Sequence, residues 1–224
     1  MLRWLIIGGA AVLMAVGGCL VHSSLRPDRV LAQGREPNQP FDVYWTDRPL
    51  GELSHPAIKI CKSTGVMTVF DGDEAVKSYR VISGANPGDK EKEGDKRTPE
   101  GVSHVVVRNP ESKYVLSLGL DYPNVGDAQR GLKAGLIDAR QHDAILTAST
   151  RCQQPPWNTR LGGEIMIHGA KGDRPGTLGC IAMDDDAIRA FRAAGGGALS
   201  IPAAAGTSVE LELVPYDLFA DGAG

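Results

Sequence analysis

Two short apolar runs in this chain each carry a residue able to do chemistry, and a glycine stands beside each of those residues. Ile165-Met166-Ile167-His168-Gly169 is followed, twelve positions after the histidine, by Cys180 within Thr177-Leu178-Gly179-Cys180-Ile181. An imidazole can take the proton of a thiol, and the thiolate rather than the thiol attacks a carbonyl carbon. Gly169 is expected to let the chain turn sharply after His168. Gly179 is expected to leave room for a substrate backbone, and N–H groups around Cys180 could stabilise an oxyanion. Alone, either residue is more simply structural, because free cysteine is among the most buried residue types. Together they point to cysteine acyl transfer.

Elements must bring the pair together. Glu164 to Ile167 reads as a buried strand that delivers His168 to its end. Upstream, Ala57 to Lys62 and Val66 to Phe70 flank a turn at Ser63-Thr64-Gly65, and Asp71-Gly72-Asp73 leads into Ala75 to Ser83. Gly84 to Gly101 is a polar loop whose alternating charges, Lys90 to Asp95, read as a solvated surface. Strands resume at Val102 to Arg108 and Tyr114 to Leu120, and Ser208 to Val214 alternates as a last strand. Between them the period changes. Asp127 to Gly135 and Asp138 to Ala148 carry Leu132, Leu136, Ile137, Ile145 and Ala148 at helical spacing, and are expected to wall one side of a cleft. Asp127 and Asp138 stand where caps or first turns belong. Asp184-Asp185-Asp186 opens a third helix to Ala194, where acidic residues suit a helix N-terminus without any metal. The fold class is mainly β with a few helices.

The 224 residues divide into three parts. Trp4 to Val21 is an uncharged run of eighteen residues, long enough for a short membrane span or the core of an export signal. It holds Val16-Gly17-Gly18-Cys19, similar to the lipobox of bacterial lipoproteins, so Cys19 is a lipidation candidate and an uncleaved anchor is the alternative. Residues 1–21 are thus a signal or anchor, 22–40 a flexible tether and 41–224 a single domain. With 24 basic and 27 acidic side chains the formal charge is −3, and no basic block or aromatic-basic stripe suggests nucleic acid. Cys61 and Cys152 could pair in an oxidising compartment or remain separate thiols. No Cys-x-x-Cys or His-x-x-x-His spacing marks a metal site.

Over residues 57–214 the chain resembles the L,D-transpeptidase catalytic domain of the YkuD type. Four pieces carry the resemblance in order: Gly94-Asp95-Lys96-Arg97-Thr98-Pro99-Glu100-Gly101, Asp121-Tyr122-Pro123-Asn124 with Asp127, Leu161 to Gly169, and Thr177 to Met183. The resemblance implies a β-rich, β-sandwich-like core and a cofactor-free cysteine enzyme acting on peptidoglycan stem peptides. With the N-terminal run read as a signal or anchor, the protein is expected to be exported and membrane-tethered in the bacterial envelope, and a monomer. By position Cys180 is the nucleophile, His168 the general base, the Gly169 carbonyl its orienter, and the Gly179 and Cys180 N–H groups the oxyanion hole. Arg97, Tyr122, Asn124 and Thr177 are candidate substrate contacts; Arg97 suits a carboxylate, while Tyr122-Pro123-Asn124 could equally be a packed turn. Three departures stand out: Leu178 where many members have histidine, Ala182 where arginine or asparagine is common, and a short His168-to-Cys180 spacing. They leave 3→3 crosslinking, D-amino acid exchange or attachment open beside L,D-endopeptidase or carboxypeptidase activity. A non-catalytic peptidoglycan-binding lipoprotein is the rival from another class.

Overall fold

A computed structural model describes residues 49–193 and 210–214. The apolar run, Cys19, the tether and the segment 194–209 lie outside the described residues. After a 3-10 turn at Leu50–Glu52 come β1 (Pro56–Cys61), β2 (Val66–Asp71), β3 (Glu74–Ile82), β4 (Gly101–Asn109) and β5 (Ser117–Leu120). Helices α1 (Val125–Lys133) and α2 (Ala139–Thr150) follow, then β6 (Met166–His168), β7 (Ile181–Met183), α3 (Asp185–Ala193) and β8 (Glu210–Val214). The expected mainly β chain with a few helices is what forms.

The strands close into a barrel in the order β1-β2-β3-β7-β6-β5-β4-β8. Where a sandwich-like core is expected, the sheet instead curls until β8 joins β4 antiparallel and β1 parallel. The first three strands are a meander of antiparallel neighbours. Alternation then points one side of each strand inward, and Ile58, Ile60, Met67, Val69, Val76, Val105, Leu118, Leu120, Ile167 and Ile181 fill the interior. On the usual scale each such side chain contributes about 1.5–3 kcal/mol when removed from water.

The helical pair sits outside this core as a second, smaller cluster. Ala128, Ile145 and Leu161 are buried together with Ile137, which lies in the connection rather than in a helix. Leu132, read as part of the apolar stripe, is instead exposed on α1. Asn124 is the cap of α1: its side chain accepts from the Gly126 and Asp127 N–H groups, while the Asp127 carboxylate accepts from the Asn124 N–H. Asp138 plays the same part for α2 with Gln141 as its reciprocal partner.

The loop from 84 to 101 departs most from expectation. Glu91, Lys92 and Glu93 are solvated as expected, but Lys90 and Asp95 are not. Lys90 is buried, with Nζ donating 2.8 Å to Asp95 Oδ1 and 2.9 Å to the Lys92 carbonyl. From the turn after β1 the buried Lys62 reaches the carbonyls of Gly88 (2.7 Å) and Thr98 (2.9 Å) and the Glu100 carboxylate (3.0 Å). Burial pushes the Asp95 carboxyl up, but hydrogen bonds from Lys90 and from the Glu91, Lys92 and Arg97 N–H groups outweigh it and hold it below the usual range. The loop is therefore a fixed wall. Cys61, buried in β1, places Sγ 3.2 Å from Ser63 Oγ and forms no disulfide, so no bond joins it to Cys152.

Candidate active site

β6 and β7 are parallel neighbours, which brings the chain at Cys180, just before β7, alongside β6 and its last residue His168. Ile167 pairs with Ile181 and His168 with Ala182, and both isoleucines are fully buried in the barrel. Side chains alternate along a strand, so His168, next to the inward Ile167, turns to the outer face of β6.

The ends of both strands are held by specific contacts. β5 is shorter than the run Tyr114 to Leu120 suggests, because Val115 has φ 74° and breaks the extension. Tyr114 is thereby freed to stack on the His168 ring, with centroids 4.8 Å apart and planes tilted by 31°. Its carbonyl accepts the Gly169 N–H at 3.1 Å. Gly169 is a glycine for closeness rather than for a turn: a Cβ there would lie 2.6 Å from the Tyr114 oxygen. β6 likewise begins two residues after Glu164, whose φ of 56° interrupts the expected strand.

His168 Nδ1 lies 2.5 Å from the Gly169 carbonyl oxygen. A carbonyl only accepts, so Nδ1 carries the proton and the neutral ring presents Nε2 as an acceptor. Burial holds the imidazole below its ordinary value, against the Gly169 contact, and the Arg174 charge adds to the lowering. Burial also pushes the Cys180 thiol up, opposed by the Met166 N–H and reinforced by the Glu164 carboxylate. Both residues thus rest neutral. The thiol donates to the Glu164 carbonyl at 3.4 Å, so its proton must swing to reach the imidazole.

Thr177 is placed beside the nucleophile as a brace. Its Oγ1 donates to the Cys180 carbonyl (2.6 Å) and accepts the Gly179 N–H (3.0 Å). The Gly179 N–H expected in an oxyanion hole is therefore already engaged, which leaves the Cys180 N–H as the donor of that pair. Nor does Gly179 leave space for a substrate. With φ 143° it packs so that a Cβ would meet the Arg97 carbonyl at 2.9 Å. Sequence reasoning passed over Thr98, whose buried Oγ1 donates to the Gly179 carbonyl at 2.7 Å. Its only signal was its place in the Gly94–Gly101 segment.

Tyr122 is not at the cleft. It is completely buried, with its hydroxyl donating to the Leu161 carbonyl at 3.1 Å. Asn124 is spent on the α1 cap and, through Nδ2, on the Val102 carbonyl. Arg97 folds back onto the Asp89 carbonyl (3.3 Å) and Glu91 (3.4 Å). Lys90, Glu93, Lys96, Trp157, Glu164 and Leu178 border a pocket of about 510 Å³, whose lining includes neither Cys180 nor His168. It adjoins Cys180 through Glu164, and Leu178 projects at its rim 78% exposed. The two helices do not line it; they buttress Leu161 from behind, at a point where Gly131 allows contact. The acidic triplet closes the site's far edge: Asp184 pairs with Lys171 (3.1 Å) and Asp185 accepts the Ala170 N–H (2.8 Å).

Similar solved structures include Bd1075 of Bdellovibrio bacteriovorus, at 18% identity over 77% of this chain and 50% of that one, TM-score 0.43. The helical cell shape determining protein Pgp2 of Campylobacter jejuni is 20% identical over 76% and 52%, TM-score 0.44. An L,D-transpeptidase of Xylanimonas cellulosilytica is 15% identical over 72% and 61%, TM-score 0.38. This chain thus spans about half the length of the first two. No curated protein matches it. The family model for the L,D-transpeptidase catalytic domain, YkuD, matches residues 55–210, and the chain belongs to that family.

Proposed function

We propose that this protein is a cysteine L,D-transpeptidase of the bacterial envelope that acts on peptidoglycan stem peptides. Family membership supplies the substrate class. The observation that supports the chemistry is the parallel β6–β7 pair, which runs the chain at Cys180 alongside β6, the strand that ends in His168. His168 Nε2 takes the Sγ proton as sulfur attacks the carbonyl carbon of the third stem residue. The Cys180 N–H stabilises the resulting oxyanion. The tetrahedral adduct collapses, the bond to the terminal D-alanine breaks, and its amine leaves with the proton from His168. A thioester remains. An amine from a second stem or a free D-amino acid then attacks it, gives its proton to His168, and releases the Cys180 thiolate, which the imidazolium reprotonates. The second reading, hydrolysis, replaces that amine with water and is kept open by Leu178, an apolar residue at the pocket rim.

The membrane tether and lipidation at Cys19 complete the proposal as the means of holding the domain at the wall. The test uses purified full chain in detergent with disaccharide-tetrapeptide, with and without a free D-amino acid, followed by mass spectrometry. Exchange of the terminal D-alanine or a 3→3 dimer is expected, and neither should form with Cys180→Ala. Tripeptide alone would make the enzyme a carboxypeptidase. Intact substrate here and with a 3→3 dimer would leave a wall-binding protein.

A further inference from the structure

We infer that Thr98 is a positioning residue for acyl transfer: its hydroxyl fixes the Gly179–Cys180 peptide plane so that the Cys180 N–H faces the developing oxyanion. The inference rests on the acyl-transfer reading of Cys180. Thr98 is completely buried and lies on the polar loop, 81 residues from its partner. Its Oγ1 accepts the Gly84 N–H at 2.8 Å and donates to the Gly179 carbonyl at 2.7 Å. Accepting one and donating the other gives the hydroxyl proton a single direction. Its own carbonyl is held by the buried Lys62 at 2.9 Å. Thr98 is thereby fixed at both ends.

The consequence follows from peptide geometry. In a trans peptide the C=O and the next N–H lie in one plane and point in opposite directions. With the Gly179 oxygen drawn inward to Thr98, the Cys180 N–H must point away from Thr98, outward. That N–H belongs to the nucleophile's own residue, beside the carbon that bonds to Sγ. Glycine at 179 has φ 143°, a conformation without a Cβ to resist rotation of this plane. Thr177 holds the flanking atoms, the Gly179 N–H and the Cys180 carbonyl, but neither atom of the intervening peptide. Thr98 alone among the described residues is seen to grip that carbonyl.

The experiment compares full-length wild type with Thr98→Val and Thr98→Ser in two reactions of the same sulfur. Acylation, by the stem tetrapeptide and by p-nitrophenyl acetate, passes through an oxyanion. Alkylation by iodoacetamide displaces iodide at a saturated carbon and needs no such donor. Thr98→Val should lower the acylation rate about 10- to 100-fold, in kcat more than KM. It should leave the alkylation rate and its pH profile within about twofold, and Thr98→Ser should restore most of the loss. Unchanged acylation in Thr98→Val, equal losses in both reactions, or failure of serine to rescue would each overturn the inference. Thr98→Ala serves as the hydroxyl-free variant if valine prevents folding. A wild type acylated by the ester but inert to every stem peptide would refute the substrate assignment, while the ester rates still decide Thr98.

Discussion

Cys180 and His168 occupy a site that keeps both uncharged, and this fixes how the protein should respond to pH. Burial lowers the imidazole and raises the thiol, from ordinary values of 6.5 and 9.0. Iodoacetamide should therefore alkylate Cys180 with a rate that keeps climbing past pH 9, while acyl transfer should lose its base only below pH 6.5. An alkylation plateau already reached near neutrality would show a thiolate–imidazolium pair instead. The Glu164 carboxylate is one cause of the raised thiol, so Glu164→Gln should move the alkylation midpoint to lower pH with the backbone at 164 unchanged in character. A midpoint that stays put would remove Glu164 from the electrostatics of the site. At this scale the sequence was readable where a residue's chemistry is its role. The roles proposed for His168 and Cys180 follow from an imidazole and a thiol as such. Tyr122 and Asn124 stand near the same motifs, yet a capping box and a fully buried hydroxyl claim them, and nothing in their own letters says which.

Strands and helices announced themselves through alternation and caps, whereas the polar loop did not. Ala57 to Lys62 and Val66 to Phe70 are strands within a residue of expectation, because one face of each must enter the barrel. In the loop 84–101 Glu91, Lys92 and Glu93 are solvated as their alternation suggests, but the partner that anchors its two ends is far off in sequence. Lys62, in the turn after β1, satisfies two carbonyls and the Glu100 carboxylate of that loop. Replacing it with methionine would keep much of the stem and leave these acceptors, one of them charged, without their donor. Lys62→Met should therefore cost about 3–5 kcal/mol in equilibrium denaturation, as when one partner of a buried pair is removed. It should also slow acylation, because Thr98 hangs from the same ammonium. Loss of stability without loss of rate would separate the loop anchor from the active site. Closure of the sheet was equally hidden: it depends on β8 finding both β1 and β4, a pairing no local pattern encodes.

For the molecule as a whole, Asp127 sets a pH dependence that runs opposite to that of most carboxylates. It is buried between α1 and the polar loop, where Arg130 bridges it to Asp89. Burial pushes its carboxyl up to about 6, against the Asn124 N–H and the Arg130 charge, with Asp89 and Asp121 adding to the rise. The close Arg130 contact alone would suggest a lowered value. Burial prevails because the Arg130 side chain is itself 54% exposed, so water weakens its field. The unfolded chain releases this proton near the ordinary 3.8, and the folded one holds it to about 6. Between those values the folded state binds more protons, so the stability Asp127 contributes is full below about 3.8 and is lost as pH rises through 6. The swing is on the order of 3 kcal/mol, two units at about 1.4 kcal/mol each. Asp127→Asn keeps an acceptor for the Asn124 N–H but cannot ionise. Its stability relative to wild type should therefore rise from pH 4 to pH 7 in urea melts. Parallel curves, or a wild type that gains on the variant with pH, would mean that Arg130 and water hold the carboxylate charged and that the loop and helix are joined by an ordinary ion pair.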